Sequence, residues 1–169
     1  MLKPGWSMAA EIVVPITRIR DCAPSLPLPR YMTPGSAGMD LAADIPQKIL
    51  LKPLHRTLIP TGFALAIPEG YEAQIRPRSG LAFRQGLSIL NTPGTIDADY
   101  RDEVHVLLIN LGEQAVEIRR GDRIAQLIIA PITHARWAEV DTLDTTQRRG
   151  GFGHTGPDSG SEPESGNRS

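Results

Sequence analysis

Four short stretches of this 169-residue chain bring together groups that bind phosphate and activate water. The first is Arg76-Pro77-Arg78-Ser79-Gly80. Gly80 lets a ligand approach the backbone, Ser79 can donate to a bridging oxygen, and Arg78 can neutralise a pair of non-bridging ones. The second runs from Asn91 through the Pro93-Gly94 turn to Glu103 and reads as a tight hairpin with Asp97, Asp99 and Asp102 around its tip. In an extended segment Asp97 and Asp99 share one face, with Ile96 and Ala98 on the other. Tyr100 and Asn91 add a flat ring and an amide that both donates and accepts. The third, from Arg119 to Leu127, is a charged turn feeding an apolar strand that carries one polar residue, Gln126. The fourth, Arg148-Arg149-Gly150-Gly151-Phe152-Gly153-His154, puts a ring and arginines on a glycine-rich backbone, the make-up of a lid that closes over phosphates and stacks on a base. Taken singly, each stretch also fits a plainer reading: a solvated Arg-Pro turn, a solvated acidic turn, a core glutamine satisfied by backbone, a flexible tail.

The elements that must position these groups read as short strands. Residues 11–19, 48–51, 57–59, 63–67, 71–75, 103–109, 116–118, 123–129 and 137–140 are rich in types that suit strands, and Pro or Gly separates them every several residues. This rhythm predicts an all-β sandwich or closed barrel over alternating β and α units. One short helix is predicted over 79–85. No residue of the hydrophobic class follows Phe152, so the end of the chain cannot bury a core. The predicted organisation is a flexible N-terminal extension over 1–11, the β domain over 12–141, a mobile arm carrying the Gly-rich motif over 142–156, and a disordered tail over 157–169. Met8 offers a second possible start.

Composition removes several function classes. A net charge of −1 argues against a general nucleic-acid surface or a polybasic membrane surface. No apolar stretch approaches the ~20 residues of a spanning helix, and the start lacks a secretory pattern, which places the chain in the cytoplasm. The single cysteine, Cys22, can form neither an intramolecular disulfide nor a zinc site alone. Of the 18 basic residues only Lys3, Lys48 and Lys52 are lysine, an arginine bias that suits paired contacts to phosphate and also fits biased codon usage.

These four stretches occur in this order behind Ala37-Gly38-Met39-Asp40-Leu41-Ala42-Ala43, and together the five motifs resemble the homotrimeric dUTPases over about Ile12 to Gly156. The resemblance implies a jelly-roll-like β barrel, a homotrimer, and active sites each shared by three chains: one giving the segments around Asp40, Ser79 and Gln126, the second the Asn91 to Tyr100 hairpin, the third its C-terminal arm. The implied reaction is hydrolysis of dUTP to dUMP and pyrophosphate by water attack on the α-phosphorus, which limits uracil in DNA and supplies dUMP for thymidylate synthesis.

By the same resemblance Asp97 is the general base, and Arg78, Ser79 and Gly80 are the phosphate segment, with Ser79 against the bridging oxygen of the leaving pyrophosphate. Gln126 helps hold the water and phosphates, and Asp40 and Asp99 stand behind them as supporting residues. Asn91 and the backbone of Gly94, Thr95, Ile96 and Asp97, with the facing strand at His105, pair with the polar edge of uracil. Tyr100 packs under the deoxyribose, Phe152 stacks on the base, and Arg148 and Gly153 of the arm meet the phosphates. Mg²⁺ is expected on the phosphates and water rather than in a protein cage. Carboxylates are weak bases, so positioning and charge neutralisation carry most of the acceleration.

The match has departures. Gln147 stands where the arm usually begins with Arg, which leaves two alternatives: closure of the arm on the γ-phosphate is weakened, or Arg148 takes over that role by a small backbone shift. Asp102 replaces a common Gly, which puts the turn geometry in question because Asp adopts positive φ less readily. His105 replaces a frequent Lys. Two rivals follow: a related dCTP deaminase, which needs a Glu on the strand where this chain has Leu107 and Leu108, and a non-catalytic nucleotide-binding homologue.

Overall fold

Pro77 and Gly86 bracket the single helix of the described chain, and both ends follow from residue type. In α1 (Ser79–Gln85) the preceding Arg78 is still extended, at φ −88° and ψ 121°, and Gly86 closes the helix in the left-handed region at φ 68°, its N–H donating to the Ala82 carbonyl. No other residue fits at Gly86, because a Cβ there would also lie 2.3 Å from the Gly112 nitrogen. The predicted helix over 79–85 is matched at both ends.

The computed structural model describes residues 11–20 and 23–146; the N-terminal extension up to residue 10, the Gly-rich motif of the arm and the tail lie outside them. The described residues up to His134 form one compact unit and those from Ala135 a second, which carries neither helix nor strand. The predicted strand over 137–140 is therefore absent: no partner strand pairs with it, and Trp137 is 91% exposed.

In the first unit eleven strands follow in order: β1 (Ile16–Arg18), β2 (Met39–Ala42), β3 (Ile49–Leu51), β4 (Arg56–Pro60), β5 (Phe63–Leu65), β6 (Tyr71–Arg76), β7 (Leu87–Ile89), β8 (Gly94–Ile96), β9 (His105–Asn110), β10 (Val116–Ile118) and β11 (Arg123–Pro131). Their ladders form four antiparallel sheets rather than one closed ring: β2-β11-β6-β8, β4-β9-β7, β1-β5 and β10-β3. The all-β expectation holds. The expected hairpin around Asp97 does not, since β8 pairs with β6 while β9 pairs with β4 and β7. The segment is a crossover between two sheets. Asp97 lies past the end of β8 and Ala98 and Asp99 form a turn, so the alternation that placed Asp97 and Asp99 on one face does not operate there.

The core sits between the faces these strands turn inward. On β9, Val106, Leu108 and Asn110 are buried while His105, Leu107 and Ile109 are half-buried, the period of two that a strand covered on one face requires. Leu41, Ile59, Ile89, Leu108, Ile118 and Leu127 are almost fully buried, and each such side chain contributes about 1.5–3 kcal/mol. Asn110 is the fully buried polar member. Its Nδ2 donates to the carbonyls of Leu51 at 2.9 Å and Gln114 at 2.8 Å, and its Oδ1 accepts from the Gly112 N–H at 2.9 Å, tying β9 to β3 and to the following turn.

Candidate active site

Asp40 of β2, Gln126 of β11 and Arg76 of β6 are direct neighbours in register across three strands, so their side chains leave the same face of the sheet. There they line a cleft of about 560 Å³ with Arg78, Ser79 and Gly80 at the start of α1. Asp40 organises it. Its Oδ1 pairs with Arg78 Nε at 2.9 Å and its Oδ2 with Arg123 Nη1 at 2.9 Å, while Arg78 Nη1 donates to the Arg123 carbonyl at 2.9 Å. Gln126 donates from Nε2 to the Pro77 carbonyl at 2.8 Å, the partner a half-buried amide needs. Gly38 makes room for it: a Cβ at position 38 would lie 2.7 Å from Gln126 Oε1. The hydroxyl of Ser79 is exposed at the rim.

A second cleft, of about 330 Å³, takes Asn91, Gly94, Thr95, Ile96, Asp97, Tyr100 and His105. Asn91 lies against the buried backbone of Gly94, where a Cβ would meet its Nδ2 at 3.3 Å. Strand β8 is at the edge of its sheet, so one row of its backbone groups has no partner strand. One carbonyl orients two side chains: Tyr100 Oη–H donates to the Glu103 oxygen at 2.9 Å, and His105 Nδ1 meets the same oxygen at 2.9 Å. A carbonyl only accepts, so the His105 proton belongs on Nδ1. Glu103 is itself held, its carboxylate accepting from the Gly62 N–H at 2.7 Å and pairing with Arg20. Asp102 sits in the bend before it without positive φ, so the replacement of Gly by Asp leaves the backbone unstrained.

The two clefts share no residue. Ile75 and Arg76 are consecutive on β6, yet Ile75 lines the second and Arg76 the first, and consecutive side chains of a strand point to opposite faces. Within one chain residues 78–80 and Asp97 therefore line separate clefts. Asp99 lines neither cleft, and Arg148, Phe152 and Gly153 lie outside the described residues.

Reading the sequence left three of these residues without a role. Arg123 and Gln126 are three apart, which in a regular strand means opposite faces; a bulge between Arg123 and Ala125 brings both to one cleft. Glu103 gains its part from Arg20, 83 residues away. Arg76 opens the first motif but gained no role of its own there, because the strand read over 71–75 stops one residue short of it.

A family model described as dUTPase matches residues 25–156. The chain belongs to the dUTPase family. Among similar dUTPases, the deoxyuridine 5′-triphosphate nucleotidohydrolase of Desulfotalea psychrophila is 62% identical over 133 residues, covering 78% of this chain and 89% of its own. That of Thermoanaerobacter sp. is 51% identical over 147 residues, covering 86% and 99%. Among solved structures, a dUTPase of Staphylococcus bacteriophage 80alpha bound to dUpNHpp has a TM-score of 0.73 at 24% identity, covering 86% of this chain and 99% of its own. A mutant dUTPase of phage phi11 of S. aureus, whose structure concerns coordination of a structural Mg(II) ion, has a TM-score of 0.66 at 22% identity, covering 77% and 97%. The four-sheet arrangement is thus the jelly-roll-like dUTPase fold. The family match lends the deaminase rival no support, and on β9 Leu107 and Leu108 offer no acid.

Proposed function

We propose that this dUTPase hydrolyses dUTP to dUMP and pyrophosphate at sites assembled between copies of the chain, the phosphate cleft of one facing the Asp97 cleft of another. Hydrolysis of dUTP follows from the family. The sharing rests on one observation: within one chain the two clefts share no lining residue, and β6 sends its consecutive residues Arg76 and Ile75 one into each, so Ser79 and Asp97 stand in separate clefts. A closed ring of three copies satisfies every cleft.

In this reading Asp97 orients a water and takes its proton as the water oxygen bonds to the α-phosphorus. The bond to the α–β bridging oxygen breaks, and pyrophosphate leaves with that oxygen. Ser79 donates to the bridging oxygen, Arg78 neutralises the phosphates, Gly80 admits them to the backbone, and Gln126 steadies them. The ion pairs to Asp40 fix the Arg78 guanidinium before substrate arrives.

Uracil is read by the unpaired edge of β8, with Asn91 and the His105 strand. Cytosine would present a donor where uracil accepts and leave buried groups unpaired. Tyr100, pinned to Glu103, closes the space a 2′-hydroxyl would need. Magnesium enters as the Mg²⁺ complex of dUTP. The cleft fits that route: its one carboxylate, Asp40, has both oxygens on arginines. A cytoplasmic setting completes the proposal, since the nucleotide pool is there; no helix among the described residues is long and apolar enough to cross a membrane.

Mixing two dead variants tests the shared site. Asp97→Asn and Ser79→Ala should each lose activity by about 10³-fold or more. Co-refolded in equal amounts, they should recover about a quarter of wild-type pyrophosphate release, because a random ring pairs an intact phosphate cleft with an intact Asp97 at one junction in four. No recovery would place the whole site in one chain.

A further inference from the structure

Four arginines line the phosphate cleft, and three are spoken for. Arg78 and Arg123 share Asp40, and Arg76 donates from Nε to Gln74 Oε1 at 2.9 Å. Arg84 has no hydrogen-bond or ion-pair partner among the described residues. Its position is nevertheless defined. It lies on α1 four residues after Gly80, and side chains on a helix lean toward its N-terminus, so the guanidinium runs back over Gly80. A Cβ built on Gly80 would meet Arg84 Nη2 at 3.0 Å, Nη1 at 3.2 Å and Cζ at 3.4 Å. Any larger residue at 80 would push this group aside.

We propose that Arg84 is a ligand of the β- and γ-phosphates of dUTP, a role resting on the reading of this cleft as the triphosphate site. Ser79 meets the α–β bridge, Gly80 follows it, and Arg84 lies over Gly80, on the side of the leaving pyrophosphate. With Arg84 the cleft holds four guanidinium groups against one carboxylate, a net +3. A nucleoside triphosphate carries about four negative charges at neutral pH, a monophosphate about two. Arg84 is the group free to answer the difference: its donors replace water alone, whereas the other three would give up or share a protein partner.

The proposal is tested on the full chain with Arg84→Ala and Arg84→Lys, measuring kcat/KM for Mg²⁺·dUTP and the inhibition constant of dUMP. Arg84→Ala should lower kcat/KM for dUTP by about 10- to 100-fold, the value of a charge-assisted bond. It should leave dUMP inhibition unchanged, and Arg84→Lys should restore part of the loss. Because the side chain is exposed, the melting temperature should stay at wild type. Equal weakening of dUTP and dUMP, or no change in either, overturns the role of Arg84. Arg78→Ala run alongside separates the two levels. If it is impaired on dUTP while Arg84→Ala is not, Arg84 alone is misassigned; if neither variant is impaired, the cleft is not the triphosphate site.

Discussion

A single carboxylate sets the geometry of the cleft proposed to hold the phosphates. Asp40 holds Arg78 and Arg123 from its two oxygens, and its side chain is only 17% exposed, so the pairs are partly shielded from water and salt. Asp40→Asn keeps the shape and removes the charge. We expect kcat/KM for dUTP to fall by about 10- to 100-fold, with roughly 1–3 kcal/mol lost in urea unfolding, because two guanidinium groups lose their counter-charge while Arg78 keeps its bond to the Arg123 carbonyl and Arg123 is half open to water. Loss of stability without loss of activity would make Asp40 a structural residue only. The types at Asp40, Arg78, Ser79, Gln126 and Asp97 were legible in the sequence because each motif carries its own chemistry. The part played by the Glu103 carbonyl was not: it depends on a backbone oxygen and on Arg20, and neither leaves a mark in local spacing.

At the scale of elements, legibility followed local determinants. The helix at 79–85 and strand β10 were matched at both ends, since Pro, Gly and alternation bound them. Strands β2, β7 and β8 were not read, being three or four residues long and interrupted by Asp, Ser or Gly. Their extended state comes from neighbours, as when β8 pairs with β6. Asn110 is one such long-range tie. Asn110→Leu would leave the carbonyls of Leu51 and Gln114 and the Gly112 N–H without their partner, so a loss of about 2–4 kcal/mol in urea unfolding is expected. An unchanged midpoint would show that the turn relaxes around it. The β3-β10 pair carries a pH signal. Hydrogen bonds from Lys48 first, and then Arg119, lower the Glu117 carboxyl below the ordinary glutamate range. Its contribution is thus fully present above that range and fades as pH falls through the lowered value. The stability difference between wild type and Glu117→Gln should shrink steadily on acidification below that range, and it should also shrink in high salt because the groups are exposed. A difference that grew on acidification would contradict the sign.

At the scale of the whole molecule, five motifs in order were enough to read the family and its reaction, while the relation between the motifs came from strand register. Two of them line separate clefts, β6 turning Ile75 into one and Arg76 into the other. If sites form only between copies, activity per chain must fall on dilution, steeply and reversibly, as sedimentation shows rings giving way to single chains. A specific activity that stayed flat through that change would leave sharing without support. The same feature bears on how the activity is switched on in a cell. On the shared-site proposal a newly made chain, correctly folded, would be an inert precursor that becomes a catalyst only when other copies arrive, so synthesis rate would set the threshold at which activity appears.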